Sequence, residues 1–239
     1  MPSTQTETPI DVPEVLGTEH LLLSLCNSVA DVLGVTTKTR IHYSGMVQRI
    51  TRTCLKPDVG CFVLFDGGFS GLVILNFSSH AALELYQSYM INMGMAKEDL
   101  ASSYTSNEVS NVMGELMNQV LGDFTGKVRR ELQTDITQSQ PKMLSLNKQV
   151  ILSVDANLDH PEARRVTFYT SRNNIFYLEL AVDRTEFIQL YEFESQPVLD
   201  PDALMEQTKA ALAAGNTTAD APTSSGDDDT DELLRSLGM

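Results

Sequence analysis

Apolar and polar positions along this chain follow two periods in turn. From Thr18 to Gly34 the apolar residues Leu22, Leu25, Val29, Val32 and Leu33 recur at helical spacing, which predicts a helix capped by Thr18 and stopped by Gly34. Residues 40–53 are rich in β-branched and aromatic types and read as strand. GCFVLF (60–65) and GLVILNF (71–77) then flank Asp66-Gly67-Gly68-Phe69-Ser70, which predicts a hairpin. Its second arm is apolar throughout, as expected of a central strand covered on both faces. Ser78 or Ser79 opens a helix over about 80–93, and a long helix spans 106–132. Residues 133–148, with Pro141 inside, read as irregular. Strands follow at 149–155, 164–171 and 174–182, the last two joined at Asn173-Asn174. A short amphipathic piece at 185–193 closes the domain. This order lacks strict strand–helix alternation and predicts an α+β fold, a mostly antiparallel sheet packed with long helices.

The ends differ in character. Residues 1–16 are polar, contain proline and read as a disordered arm before a domain at 17–195. Beyond it come a short helical extension (196–213), an acidic flexible linker (214–229) and a short amphipathic peptide (230–239), a disordered C-terminal tail. Between Ala214 and Met239 six acids face Arg235 alone, within a net charge of −15. Such a surface repels phosphate backbones and argues against a nucleic-acid partner. No leader-like segment and no apolar run near the ~20 residues of a membrane span stand out, so a cytoplasmic protein without a membrane partner is expected.

Cys26, Cys54 and Cys61 are odd in number and lack metal-ligand spacing, as do His20, His42, His80 and His160. They read as buried thiols of a reducing compartment and as scattered imidazoles, and no metal is expected on this chain. Met90, Met93, Met95, Met113 and Met117 read as adaptable core, and Arg129-Arg130 and Arg164-Arg165 as surface ion pairs.

The helix at 106–132 carries the candidate chemistry. At about 100° per residue, Asn111, Glu115, Asn118 and Gly122 fall within an arc of roughly 60°. Val109, Val112, Met113, Leu116, Met117, Val120 and Phe124 gather opposite. A polar stripe on a surface helix is ordinary. Here, however, two asparagines occupy it although Asn is a poor mid-helix residue, and Gly114 and Gly122 each cost up to ~1 kcal/mol relative to Ala. Small residues beside a polar pair suit the close approach of a second surface.

Glu115 and Asn118, followed by 22 residues (119–140) and then Pro141, resemble the helix signature of the CheX/CheC/FliY response-regulator phosphatases. Gly122 also fits, as does the hairpin GCFVLFDGGFSGLVILNF. Asn111 departs from the Asp or Ser that the family carries at the first signature position. One copy of the signature, with none on the helix at 18–34, is similar to CheX. The resemblance implies hydrolysis of the aspartyl phosphate of a CheY-type response regulator. Asn118 would position the attacking water and Glu115 would dock the receiver's lysine. Asn111, Gly114, Gly122 and Pro141 would support that pair. No cofactor would be bound by this chain, Mg2+ being supplied by the partner, and a homodimer is implied by analogy. A non-catalytic response-regulator-binding or flagellar-switch-like adaptor is the alternative.

The C-terminal end, DDTDELLRSLGM, places Leu233, Leu234 and Leu237 at helical spacing behind a run of acids. It resembles the C-terminal peptide of CheZ, with Met239 in place of an aromatic residue, and implies a tether for the receiver. An acidic solubilising tail is the other reading.

Overall fold

The computed structural model describes residues 15–188. Within it lie β1 (Val15–Leu16), α1 (Thr18–Thr37), β2 (His42–Tyr43), β3 (Gln48–Ile50), β4 (Thr53–Leu55), β5 (Val59–Gly67), β6 (Gly71–Phe77) and α2 (Ser79–Asn92). They are followed by α3 (Asn107–Leu132), β7 (Ile136–Gln138), β8 (Lys142–Ser145), β9 (Leu152–Val154), β10 (Pro161–Tyr169), β11 (Ile175–Asp183) and β12 (Phe187–Ile188). Residues 1–14 of the expected arm, residues 189–195 of the expected domain, the helical extension, the linker and the terminal peptide lie outside the described residues.

The expected α+β class holds. An eight-stranded sheet runs β2-β10-β11-β6-β5-β7, with β3 on β10 and β8 on β5, and all of these pairings are antiparallel. The apolar second hairpin arm, β6, is central and buried along its whole length. One face of the sheet packs against the helices through residues such as Val63, Phe77, Leu178, Leu25, Val29, Leu116 and Phe124. The other face holds a smaller apolar cluster of Leu55, Leu72, Ile74, Leu146 and Ala181, flanked by the β4–β9 pair. Polar groups buried near that cluster are paired. Glu179 accepts from Arg165 Nε at 2.8 Å and from the Cys54 amide at 2.9 Å, with Lys56 Nζ at 3.7 Å. Asn76 is held on both sides by the backbone of Lys56 and Cys54.

Helix ends follow local chemistry. Ser78 caps α2 by accepting from the Ala81 amide, and Ser106 caps α3 by accepting from Val109, each at 3.3 Å. Gly17, not Thr18, is the N-cap of α1, and Thr18 is its first, buried residue. Nor does Gly34 stop that helix. It continues to Thr37 and ends where Lys38 turns left-handed (φ 51°), with the Lys38 amide bonding back to Gly34 and Val35. Gly34 instead gives room for the returning chain, since a Cβ there would lie 3.3 Å from the Thr39 carbonyl oxygen.

Further differences have physical causes. Residues 133–148 are not irregular: β7 and β8 both pair with β5. Their sequences, ITQ and KMLS, are too short and too exposed to show alternation. Between them the chain detours, the Ser139 amide bonding the Leu64 carbonyl at 2.8 Å. Val15 and Leu16, expected in the arm, form β1 against β12. Met113 and Met117 are buried core, but Met93 and Met95 are exposed. Arg164 is no surface residue: it is buried and paired with Glu19 and Glu162 at 2.8 and 3.1 Å. Cys26 and Cys61 are buried as expected, and burial pushes both thiols up to about 12; Cys54 is only partly buried.

Contrary to the expectation of no such run, α1 is, among the described residues, one helix long and apolar enough to cross a membrane by length and composition. Ten of its residues are buried within the domain, including the small polar Ser24 and Ser28 that face inward. Those buried positions make it a core helix of this fold.

Candidate functional site

The apolar side of α3 fixes where its polar side points. Val109, Met113, Leu116, Met117, Val120, Leu121, Phe124 and Val128 are buried, which matches the predicted apolar face except that Val112 is only half-buried and Leu121 and Val128 are added. Asn111 and Glu115 are consequently exposed and Asn118 is half-buried. Gln119 Nε2 donates to Glu115 Oε1 at 3.0 Å, one turn along the helix. Glu115 makes no ion pair among the described residues, so its charge faces an open cleft.

That cleft, of about 680 Å³, lies between α3 and β8. Ser110, Asn111, Gly114, Glu115 and Asn118 line it from the helix, and Gln140, Pro141, Lys142, Met143 and Leu144 line it from the strand and its approach, with Phe62 of β5 beside them. Five of the six signature-related residues read from the sequence therefore meet in one place: Asn111, Gly114, Glu115, Asn118 and the distant Pro141. Antiparallel pairing brings Pro141 there. Lys142 sits opposite Phe62, Met143 opposite Cys61 and Leu144 opposite Gly60. Pro141 precedes the first paired residue, where its missing N–H costs no ladder bond.

The two glycines differ. A Cβ on Gly114 would lie 3.6 Å from Met143 Cγ, in ordinary contact with the strand wall. Gly122 does not line the cleft, and a Cβ there would meet nothing within 4 Å. Leu233, Leu234, Leu237 and Met239 lie outside the described residues.

Sequence reading missed Ser110, Gln140, Lys142, Met143, Leu144 and Phe62. Ser110 lies one turn before Gly114 on the same stripe and was within reach of the helical wheel. The strand residues were not, because β8 itself was read as irregular. Among the described residues there is no group of three or more His, Cys, Asp or Glu side chains able to hold a metal ion. The cleft is lined by the carboxamide residues Asn111, Asn118 and Gln140, groups that bind and orient, with Glu115 and Lys142 as the charged residues of its lining among the described residues.

The fold is that of the CheX and CheC-like chemotaxis proteins. The chain superimposes on CheX from Desulfovibrio desulfuricans with a TM-score of 0.57 at 14% identity, covering 68% of this chain and 99% of that one. A CheC-like superfamily protein from Shewanella sp. PV-4 gives 0.56 at 16% identity, over 68% and 97%. CheX from Vibrio vulnificus gives 0.56 at 16% identity, over 68% and 99%. By sequence, the family described as protein of unknown function, DUF3334, matches residues 12–239, and the chain belongs to it. No curated protein matches the chain.

Proposed function

We propose that this protein hydrolyses the aspartyl phosphate of a CheY-type response regulator in the cytoplasm, with Asn118 and Glu115 as the working pair. The observation that carries this reading is the cleft itself. A helix stripe and a proline separated from Asn118 by 22 residues, joined in sequence only by spacing, share its walls. The CheX/CheC fold supports the same reading.

An aspartyl phosphate is an acyl phosphate and is already reactive, so positioning of a water accounts for much of the catalysis. The Asn118 carboxamide accepts from and donates to that water, holding it in line with phosphorus. As the water oxygen bonds to phosphorus, the bond to the aspartyl oxygen breaks and the receiver carboxylate leaves with the electron pair. The water's proton passes to the phosphate or to solvent. Glu115 pairs with the receiver's active-site lysine, which sets the depth to which Asn118 enters. Magnesium stays with the receiver and screens the phosphoryl charge. The terminal peptide, with Leu233, Leu234, Leu237 and Met239 as anchors, tethers the receiver and raises its local concentration into the ~mM range.

Asn111, at a position where the resembled family has Asp or Ser, favours a second reading, a receiver-binding adaptor without catalysis. The two separate on Asn118→Ala. The phosphatase reading expects this variant to bind a phosphorylated receiver nearly as well as wild type while losing acceleration of phosphate release on the order of 10²-fold. Wild-type protein that binds a receiver and leaves its phosphate lifetime unchanged would establish the adaptor.

A further inference from the structure

Two acids of α3, Glu115 and Asp123, are each met by a side chain one turn further along, and the two partners differ. Asp123 pairs with Lys127 at 2.9 Å, and the same ammonium reaches Asp31 of α1 at 3.3 Å. That lysine joins two packed helices and neutralises the acid it holds. Glu115 has Gln119 at the corresponding position, and Gln119 Nε2 donates to Glu115 Oε1 at 3.0 Å. An amide holds a carboxylate without cancelling its charge.

The residue type at 119 is informative. On the face of a helix, lysine four residues after glutamate is the stabilising choice. The helix makes an acid–lysine pair at 123 and 127 and not at 115 and 119. Glu115 is exposed and lines the α3–β8 cleft, whereas Gln119 is half-buried and does not line it. A half-buried side chain has already given up part of its rotamer freedom, so holding the carboxylate costs it less ordering. Among the described residues the Gln119 bond is the one side-chain hydrogen bond of Glu115, and Oε2 is left for a group that enters the cleft.

Resting on the docking step of the reading above, we infer that Gln119 is a positioning residue for Glu115. Its amide steadies the carboxylate where α3 lines the cleft and leaves the whole charge for the receiver's lysine. A lysine at 119 would compete with the receiver's lysine for the same carboxylate, and an apolar residue there would leave the carboxylate to wander.

The test uses the full-length chain and a beryllofluoride-charged CheY-type receiver from the same organism, titrated at low salt. Gln119→Lys is expected to raise the urea midpoint of the chain and yet to weaken receiver binding by roughly two- to fivefold. Gln119→Leu is expected to weaken binding by about twofold. In a Glu115→Gln background neither substitution changes binding further, because both act through that carboxylate. Unchanged binding by Gln119→Lys in the wild-type background would overturn the inference. So would an equal loss with and without the Glu115 carboxylate, which would put Gln119 in direct contact with the receiver, or a loss accompanied by a lowered midpoint, which would assign Gln119 to the fold alone. Receiver binding that is insensitive to Glu115→Gln would instead overturn the functional reading on which the inference rests.

Discussion

Asn118 and Glu115 sit one helical turn apart on an amphipathic helix whose opposite face is locked into the core, so both side chains are presented by a rigid element. Gly122, on the same stripe but beyond the cleft, tests what the small residues cost. It is exposed in mid-helix and a Cβ there meets nothing, so Gly122→Ala is expected to stabilise the domain by about 0.5–1 kcal/mol through helix propensity alone. A higher urea midpoint with an unchanged slope would show this; a lower midpoint would mean that the glycine serves the isolated fold. Gly114 belongs to the cleft wall, where a methyl group would sit in ordinary contact with the Met143 side chain.

At the scale of elements, the sheet is stabilised by buried carboxylates as well as apolar area. The Glu179 side chain is fully buried against Arg165 and Lys56, which are 21% and 31% exposed. Glu179→Ala leaves both cations without their partner, and a loss of about 3 kcal/mol is expected, at the low end for a broken buried pair because the cations keep some solvent. Chemical denaturation measures it. Glu84 clamps α2 to the β10–β11 turn, accepting from Thr170, Ser171 and Asn174 side chains and from the Arg172 amide. Burial raises its pKa, but these donors together outweigh burial and hold the carboxyl below its ordinary 4.5. The charged clamp therefore contributes fully above about 4.5 and is lost as pH falls through the lower folded value. The stability gap between wild type and Glu84→Gln should be widest near neutrality and narrow below pH ~4.5; thermal melts across that range decide it.

The same elements show what was legible in the chain. The serine start of α2, the α3 apolar stripe and the apolar runs flanking the Asp66–Ser70 turn are local signals, and local signals survive without knowledge of the fold. The meeting of Asn118 with Pro141 was legible only as a spacing borrowed from a resembled family. Lys142 was not legible, because β8 is a four-residue strand whose order comes from pairing with β5 and not from its own sequence. Arg164 likewise reads as a surface charge until Glu19, far away in sequence, arrives beside it.

At the scale of the whole molecule, the proposed function would join the α3–β8 cleft to an acidic C-terminal sequence that carries Leu233, Leu234 and Leu237. A chain cut after Gly226 keeps the cleft and loses the peptide. It is expected to match the full-length protein at saturating receiver and to fall behind at low concentration, because a tether would act through effective concentration; titration of phosphate release against receiver concentration separates the two. The central claim, however, is catalysis at α3. It is tested most directly by the decay of a radiolabelled, phosphorylated CheY-type receiver from the same organism, followed alone, with the wild-type chain and with Asn118→Ala. The account predicts faster decay with wild type and a lifetime close to that of the receiver alone with Asn118→Ala. Equal acceleration by both proteins would contradict it.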